Sequence, residues 1–353
     1  MKDYYVGMDV HKASIVIAVQ NAAGKVVMQS IIETKAQTVR DFIKGLHGPV
    51  HLTFEEGVHA AWLYDLTRPL VAEVVVCDPR KNKLLLSGNK SDRVDAQKLA
   101  HLLRAGLLQA VYHGEQGTRS LKELAHSYDS LVQDCTRVMN RLRALYRGRA
   151  IECPEQSIYD TAGRAQWLTQ LDDKGARLRA ENLYKQLDAL LTLRDEARTQ
   201  MVSEAAAHPA TQILQRVPMI GPVRAAQIIA TVNTPHRFRT KRQFWAYCGL
   251  AVVTKSSAEY GFTKGEVYKK QKKTSTRGLT HNFNRRLKEV FKSAAVTAGV
   301  RGQFKPYYEG LLAKGMSPES ARLTLARKIA ATTLAVWKKG EEFDPHRVAQ
   351  QAA

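Results

Sequence analysis

The fold of the first third of the chain is decided by residues 4–19, which read YYVGMDVHKASIVIAV. Two apolar runs, residues 4–10 and 15–19, flank a polar turn, and this pattern predicts two strands with a tight connection. The sequence NAAGK at residues 21–25 is a second hairpin signal, which leads into a third strand at residues 26–28. The chain is therefore predicted to begin with a meander of three strands.

The elements that follow extend this meander into a larger sheet. The apolar patterns predict a helix over residues 39–46, a strand over 51–55, a helix over 60–66, a strand over 73–77 and a helix over 91–103. Three strands followed by alternating helices and strands is the order of a ribonuclease-H-like sheet. A dinucleotide-binding fold is disfavoured because no glycine-rich loop follows the first strand. We therefore predict an α/β domain over residues 1–112.

Residues 113–206 are predicted to form a coiled-coil or helical linker. An apolar seam in steps of three and four consists of Leu121, Leu124, Tyr128, Leu131, Cys135, Val138, Leu142 and Leu145. A second helix carries apolar residues from Leu183 to Met201, interrupted by Arg194, and residues 153–177 are interpreted as a small helical insert. An ordinary helical bundle would bury the same stripe and is the alternative.

The rest of the chain is predicted as a mainly helical C-terminal domain over residues 207–340 and a poorly ordered tail over 341–353. Residues 215–226, QRVPMIGPVRAA, resemble the turn of a helix-hairpin-helix element. Such a turn presents backbone N–H groups to a DNA phosphate. A plain connection between two helices is the alternative, because Gly and Pro also end helices.

Charge is the first feature that bears on function. Lys and Arg number 54 against 33 acidic residues, a formal net charge of +21. So large an excess indicates a polyanionic partner, since each phosphate contact releases counterions. The sequence has no apolar run long enough for a membrane helix and no signal peptide at its start, which predicts a cytoplasmic protein without a membrane partner. The four cysteines are scattered and predict free thiols rather than disulfides or a zinc site.

The basic residues concentrate in residues 237–292, where fifteen Lys and Arg stand against three acids. We interpret the run KKQKK at residues 269–273 as a loop close to a nucleic-acid backbone; a solvated charge run is the alternative. The candidate nucleic-acid-binding residues of the whole chain are Lys12, Arg224, Lys255, Lys269, Lys270, Lys272, Lys273, Arg277, Arg285 and Arg286.

Four acids of the α/β domain are candidate metal ligands. Asp9 and Glu55 end two predicted strands, and an acidic pair three residues apart opens a predicted helix, at Asp92 and Asp95. Mg²⁺ prefers carboxylate oxygens, and a pair of Mg²⁺ ions can stabilise the charge that develops at a phosphodiester. Each acid alone has a simpler role as a turn former or helix cap, so the joint pattern carries the prediction. Glu56 competes with Glu55 for the second position.

Three segments make the sequence recognisable. GMDVHK at residues 7–12, FEEG at 54–57 and KSDRVDA at 90–96 resemble the signature of DEDD transposases of bacterial insertion sequences, the IS-one-ten family, which are related to Piv-type DNA invertases. The resemblance implies a RuvC-like domain, a coiled-coil linker and a C-terminal transposase domain. It also implies Mg²⁺, with Mn²⁺ able to substitute, and DNA recombination by phosphodiester transesterification.

The resemblance further implies a serine nucleophile and an RNA partner. The matching segment is YCGLAVVTKSS at residues 247–257, which places the serine at Ser257, with Ser256 as the alternative. Ala258 stands where the family usually has Gly, so the backbone there has less freedom. Members of the family are guided by a structured bridge RNA that pairs with donor and target double-stranded DNA. Because Asp9 and Ser257 are far apart in the sequence, the active site is expected to be composite, and it could assemble through the coiled-coil arm between the protomers of a homo-oligomer, a dimer or tetramer.

Two other functions fit the residues. A RuvC-like Mg²⁺-dependent junction nuclease would use water in place of Ser257 and form no covalent intermediate. A non-enzymatic nucleic-acid-binding scaffold would use the acids only as caps and turn formers.

Overall fold

The computed structural model describes residues 3–80, 91–113, 118–153, 157–255, 260–263, 265–269 and 275–345. The chain divides into two compact units, residues 1–116 and 117–353. The predicted three-part division, with boundaries after residues 112 and 206, stays a prediction.

The first unit is a mixed sheet with helices. Its described elements are β1 (Tyr4–Val10), β2 (Ser14–Asn21), β3 (Val26–Glu33), α1 (Ala36–Lys44), β4 (Val50–Glu55), α2 (Ala60–Thr67), β5 (Glu73–Cys77) and α3 (Asp92–Arg104). The strand order is β3-β2-β1-β4-β5. The first three strands are antiparallel, whereas β4 runs parallel to both β1 and β5. Each predicted element is present; β3 is longer than predicted because it pairs with β2 along most of its length.

The two faces of this sheet are covered differently. On one face Met8 and Phe54 are buried in a cluster with Val39 of α1 and Leu63 of α2. On the other face α3 lies directly against β1 at Gly7. A Cβ atom at Gly7 would sit only 2.2 Å from the Ala96 carbonyl oxygen, so α3 can approach this closely only because residue 7 has no side chain. The close approach fixes the start of α3 beside the end of β1.

The second unit is mostly helical, as predicted. Its described elements are α4 (Arg119–Arg147), α5 (Arg164–Thr169), α6 (Lys174–Ala206), α7 (Ala210–Gln215), α8 (Pro222–Val232), α9 (Lys241–Tyr247), β6 (Val252–Lys255), β7 (Tyr260–Thr263), β8 (Glu266–Lys269), β9 (Ser275–Leu279), α10 (Arg285–Val300), α11 (Lys305–Ala313) and α12 (Pro318–Lys339). The four short strands form two pairs, β6 with β9 and β7 with β8, and no pattern in the sequence predicts them.

The long helices α4 and α6 pack on each other within the chain. Val138 and Leu142 of α4 share a buried cluster with Leu183 and Leu187 of α6. The first part of the predicted seam has other partners, since Leu121 belongs to the core formed by α7 to α12. The apolar stripe of α4 therefore serves two neighbours in succession. That α4 and α6 form a coiled coil stays a prediction.

The structure also bears on the predictions for the tail, the cysteines and membrane helices. The tail from Glu341 is predicted to be poorly ordered, and this stays a prediction; within it, the partly buried Phe343 packs against Phe304 with 5.6 Å between ring centroids. Residues 346–353 lie outside the described part. All four cysteines are free thiols, as predicted. No described helix combines the length and apolar character needed to cross a membrane.

Candidate functional site

The candidate site begins with Asp9, which lies near the end of β1. Strand alternation puts Asp9 on the same side as Gly7, the side that α3 covers. The Asp9 side chain is mostly buried, with 21% of its surface exposed. The Asp9 carboxylate therefore lies at the carboxyl end of the central strand β1, next to the start of α3.

The start of α3 supplies two more carboxylates. Ser91 caps the helix by accepting a hydrogen bond from the Val94 backbone N–H, with 3.3 Å between Oγ and N. Asp92 and Asp95 follow in the first turn, where negative side chains interact favourably with the helix dipole. Their spacing of three places both on one face of α3. The cap thus fixes where this acidic pair begins.

His11 joins the carboxylates of β1 and α3. Its Nε2 atom lies 3.2 Å from Oδ2 of Asp9 and 3.4 Å from Oδ2 of Asp92. The backbone is anchored as well, because the His11 N–H donates to the Ser14 carbonyl oxygen at 2.9 Å. One ligand atom from each of Asp9, His11 and Asp92 lies within 4.8 Å of the others, a grouping that suits a metal ion. We call these three residues the Asp9 cluster.

The electrostatics of the Asp9 cluster favour a cation. Burial raises the pKa of the Asp9 carboxyl, and the negative charges of Asp92 and Asp95 raise it further, while His11 opposes both effects. One oxygen of Asp95 is buried without a hydrogen-bond partner among the described residues, although Lys98 Nζ lies 3.6 Å from it. A divalent cation would relieve the repulsion between the carboxylates and give the buried oxygen a partner. The residues present therefore fit a hard metal ion.

The structure distinguishes the two adjacent glutamates. The Glu56 carboxylate contacts His113, with 2.7 Å between Oε2 and Nε2. The His113 ring also stacks on Tyr64. Glu55 is the last residue of β4 and pairs in register with Cys77 of β5. Its negative charge adds to the effect of burial in raising the pKa of the Cys77 thiol to about 12.

Strand alternation relates Glu55 to Asp9. Thr53 of β4 pairs with Gly7 of β1, and Glu55 and Asp9 each follow two positions later. Both acids therefore extend from the α3 side at the same end of two neighbouring parallel strands. Glu55 and Asp95 are nevertheless outside the Asp9 cluster, so the structure brings two of the four predicted ligands together and adds His11. The signal for His11 was its place two residues after Asp9 in a tight turn.

Two family models match this chain in separate regions. One, described as a transposase of the DEDD type found in IS110, matches residues 6–148, which include the Asp9 cluster. The other, described as transposase IS116/IS110/IS902 family, matches residues 211–309. The chain belongs to the IS110 family of DEDD transposases. The first match contains all four acids of the DEDD prediction, and the second spans β6 to β9.

Several individual proteins named as transposases are similar to this chain. The transposase for insertion sequence element IS1533 of Leptospira borgpetersenii is 30% identical over 47% of this chain and 50% of its own length. The putative transposase y4qE of Sinorhizobium fredii is 24% identical over 97% of this chain and 90% of its own length. The transposase for IS1111A of Coxiella burnetii is 25% identical over 51% of this chain and 50% of its own length. Two of these three matches thus span half of the relative.

The predicted nucleic-acid contacts fall into different environments. Lys12 is exposed in the turn after the Asp9 cluster, and Arg285 is exposed at the start of α10. Arg286 is mostly buried and pairs with Asp129, and Arg224 donates to the Met219 carbonyl oxygen at 2.7 Å. Arg286 and Arg224 therefore also stabilise the fold.

The remaining predicted residues lie wholly or partly outside the described part of the chain. The backbones of Lys255, Lys269 and Arg277 belong to β6, β8 and β9, and their side chains are not described. The residues outside it altogether are Ser256, Ser257, Lys270, Lys272 and Lys273. The role of each as nucleophile or nucleic-acid contact stays a prediction.

Proposed function

We propose that this protein is a transposase, a site-specific recombinase that cuts and rejoins DNA. The observation that carries the proposal is the Asp9 cluster, where carboxylates of β1 and α3 converge beside the end of a sheet. Membership of the IS110 family and relatives named as transposases support it. The net charge of +21 suits a DNA partner.

We also propose the finer features of the fold. The strand order β3-β2-β1-β4-β5, with the change from antiparallel to parallel pairing at β1, supports a ribonuclease-H-like domain of the RuvC type. The shared apolar seam of α4 and α6 supports a coiled-coil arm.

The metal in this proposal is Mg²⁺, as two ions, for which Mn²⁺ can substitute. Asp9, Glu55, Asp92 and Asp95 would hold it, and it would supply positive charge to a phosphodiester during cleavage. His11 would orient the carboxylates of Asp9 and Asp92, because its Nε2 atom lies within 3.4 Å of both. The cap at Ser91 and the absent side chain at Gly7 keep α3 in place relative to Asp9.

Ser257 is the proposed nucleophile, with Ser256 as the alternative. Its hydroxyl oxygen would attack the phosphorus and lose its proton, and the DNA oxygen that leaves would take up a proton. A covalent serine–DNA link conserves the energy of the broken phosphodiester bond, so that the DNA can be rejoined to another strand. The proposed partners are double-stranded donor and target DNA, a structured guide RNA and further copies of this chain.

The decisive experiment traps the covalent intermediate. Full-length protein would be incubated with labelled DNA carrying the ends of its own element, the RNA transcribed from those ends, and Mg²⁺. The proposal predicts a labelled protein–DNA adduct on a denaturing gel that Ser257→Ala abolishes and the matched variant Ser256→Ala retains. Cleavage without any adduct would instead favour a nuclease that uses water. Neither cleavage nor adduct, together with retained DNA binding, would favour a binding scaffold.

A further inference from the structure

The two-stranded sheet of β7 and β8 exposes aromatic side chains to solvent. Tyr260 pairs with Lys269 and Phe262 pairs with Val267 in an antiparallel register. Since paired residues and every second residue share a face, Tyr260, Phe262 and Val267 belong to one face, and Lys269 takes the same register position. We call this the Phe262 face.

The Phe262 face is open to solvent. The exposed fractions are 75% for Phe262 and 61% each for Tyr260 and Val267. On the other face the ring of Tyr268 lies over Gly261, where a Cβ atom would meet it at 2.7 Å. One aromatic ring thus stabilises the hairpin internally, while two rings on the opposite face contact little of the protein.

Exposed aromatic rings are rare elsewhere in the second unit. Among its described residues, the other large apolar side chains that are exposed are aliphatic, apart from Tyr268 of the same hairpin. A two-stranded sheet is only marginally stable by itself, so leaving aromatic rings on its surface is unfavourable unless they contact a partner.

The composition around the hairpin indicates the chemistry of that partner. Between residues 260 and 275 the sequence contains five lysines and one acid, Glu266. Surfaces that bind proteins are depleted in lysine, whereas surfaces that bind single-stranded nucleic acids combine positive charge with aromatic rings on which bases stack. The charge and the rings together therefore favour unpaired nucleotides over a protein partner.

We propose that the Phe262 face binds single-stranded DNA by stacking unpaired bases on Phe262 and Tyr260. This inference rests on the proposed function, because cutting and rejoining a duplex exposes unpaired bases beside the reacting strand. The hairpin begins three residues after Ser257 in the sequence, so a strand joined to that serine lies within a short length of chain from the rings. Stacking depends on the aromatic surface and not on the identity of the base, so the face holds the strand without reading its sequence.

The test measures the binding of a labelled oligothymidine and of a matched DNA duplex to the full-length protein by fluorescence anisotropy. Phe262→Ala is expected to weaken binding of the single strand by roughly 5- to 100-fold, the range for loss of one stacked base. Phe262→Leu keeps the apolar side chain but not the ring and is expected to show a similar loss, whereas Phe262→Tyr retains binding. Val300→Ala removes a residue that is 72% exposed on α10 and serves as the matched control, with unchanged binding.

Three results would overturn the proposal. Wild-type affinity in Phe262→Leu would show that no ring stacks on a base. If Phe262→Ala lost affinity only for single-stranded RNA of the same length, the face would be assigned to RNA. If light scattering showed that Phe262→Ala changes the oligomeric state, the face would be assigned to a second copy of the chain. The adduct assay on the same variants separates this inference from the proposed function. If the adduct forms normally and Phe262→Ala binds the single strand as tightly as wild type, the proposal for the Phe262 face is rejected and the proposed function is not.

Discussion

The strongest prediction concerns Gly7, whose missing side chain sets the distance between β1 and α3. In Gly7→Ala the new Cβ atom would lie 2.2 Å from the Ala96 carbonyl oxygen and 2.5 Å from the Ala100 backbone nitrogen, both rigid helix atoms. Ordinary contacts begin at 3.4 Å, so α3 must move by about 1.2 Å. Overpacking of this kind costs about 1–3 kcal/mol, and the shift also carries Asp92 away from Asp9.

Two measurements on full-length protein follow from this geometry. Hydrogen exchange of the α3 amides is expected to accelerate by roughly 5- to 100-fold, the equivalent of that energetic cost. Mg²⁺-dependent DNA cleavage is expected to fall by about 100-fold, as a displacement near 1 Å costs in a reaction that depends on orientation.

The matched control is Gly57→Ala, in the segment after β4. Apart from its chain neighbours, a Cβ atom at Gly57 would meet no described atom within 4 Å, so this variant should leave exchange and cleavage unchanged. If Gly7→Ala matched wild type in both measurements, close packing of α3 against β1 would not be what positions the acids.

Two further predictions concern the second unit. Arg286→Ala removes the cationic partner of mostly buried Asp129, which keeps a hydrogen bond from Gln227, and should lower the free energy of unfolding by about 2–4 kcal/mol. Exposed Arg285→Ala should leave unfolding unchanged and reduce the salt dependence of DNA binding by about one phosphate contact. Equal destabilisation by the two variants in guanidinium titrations would argue against this division. The hydrogen bonds from Arg164 lower the pKa of Asp188, so their stabilisation is present at neutral pH and is lost as the pH falls through that lowered pKa. Because the Asp188 side chain is half-exposed, Asp188→Asn should cost at most about 1 kcal/mol at pH 7, with thermal midpoints that converge with wild type in acid.

The sequence predicts the first unit well because the information there is local. Alternating apolar residues and polar turns define β1 and β2, and Ser91 signals the start of α3 by capping chemistry. The acids that end β1 and open α3 could be read as one site since strand ends and a helix start converge in such a fold.

Other features depend on contacts that no local pattern contains. His11 looks like an ordinary turn residue until α3 brings Asp92 to within 3.4 Å of its Nε2 atom. The different surroundings of Glu55 and Glu56 likewise depend on His113, which contacts Glu56 from 57 residues away in the chain. The hairpin of β7 and β8 was missed because its lysines read as a loop, and each strand has only four residues.

If the acids around Asp9 act through a divalent metal to cut DNA, loss of one acid should weaken both metal binding and cleavage. The most direct test is a titration of full-length protein with Mn²⁺, followed by electron paramagnetic resonance, for wild type and Asp92→Asn. Cleavage of element-end DNA in Mg²⁺ would be measured on the same preparations. Asp92→Asn is expected to bind Mn²⁺ at least tenfold more weakly and to lose cleavage while it still binds DNA. Wild-type Mn²⁺ affinity and wild-type cleavage in Asp92→Asn would show that these acids do not act through a metal.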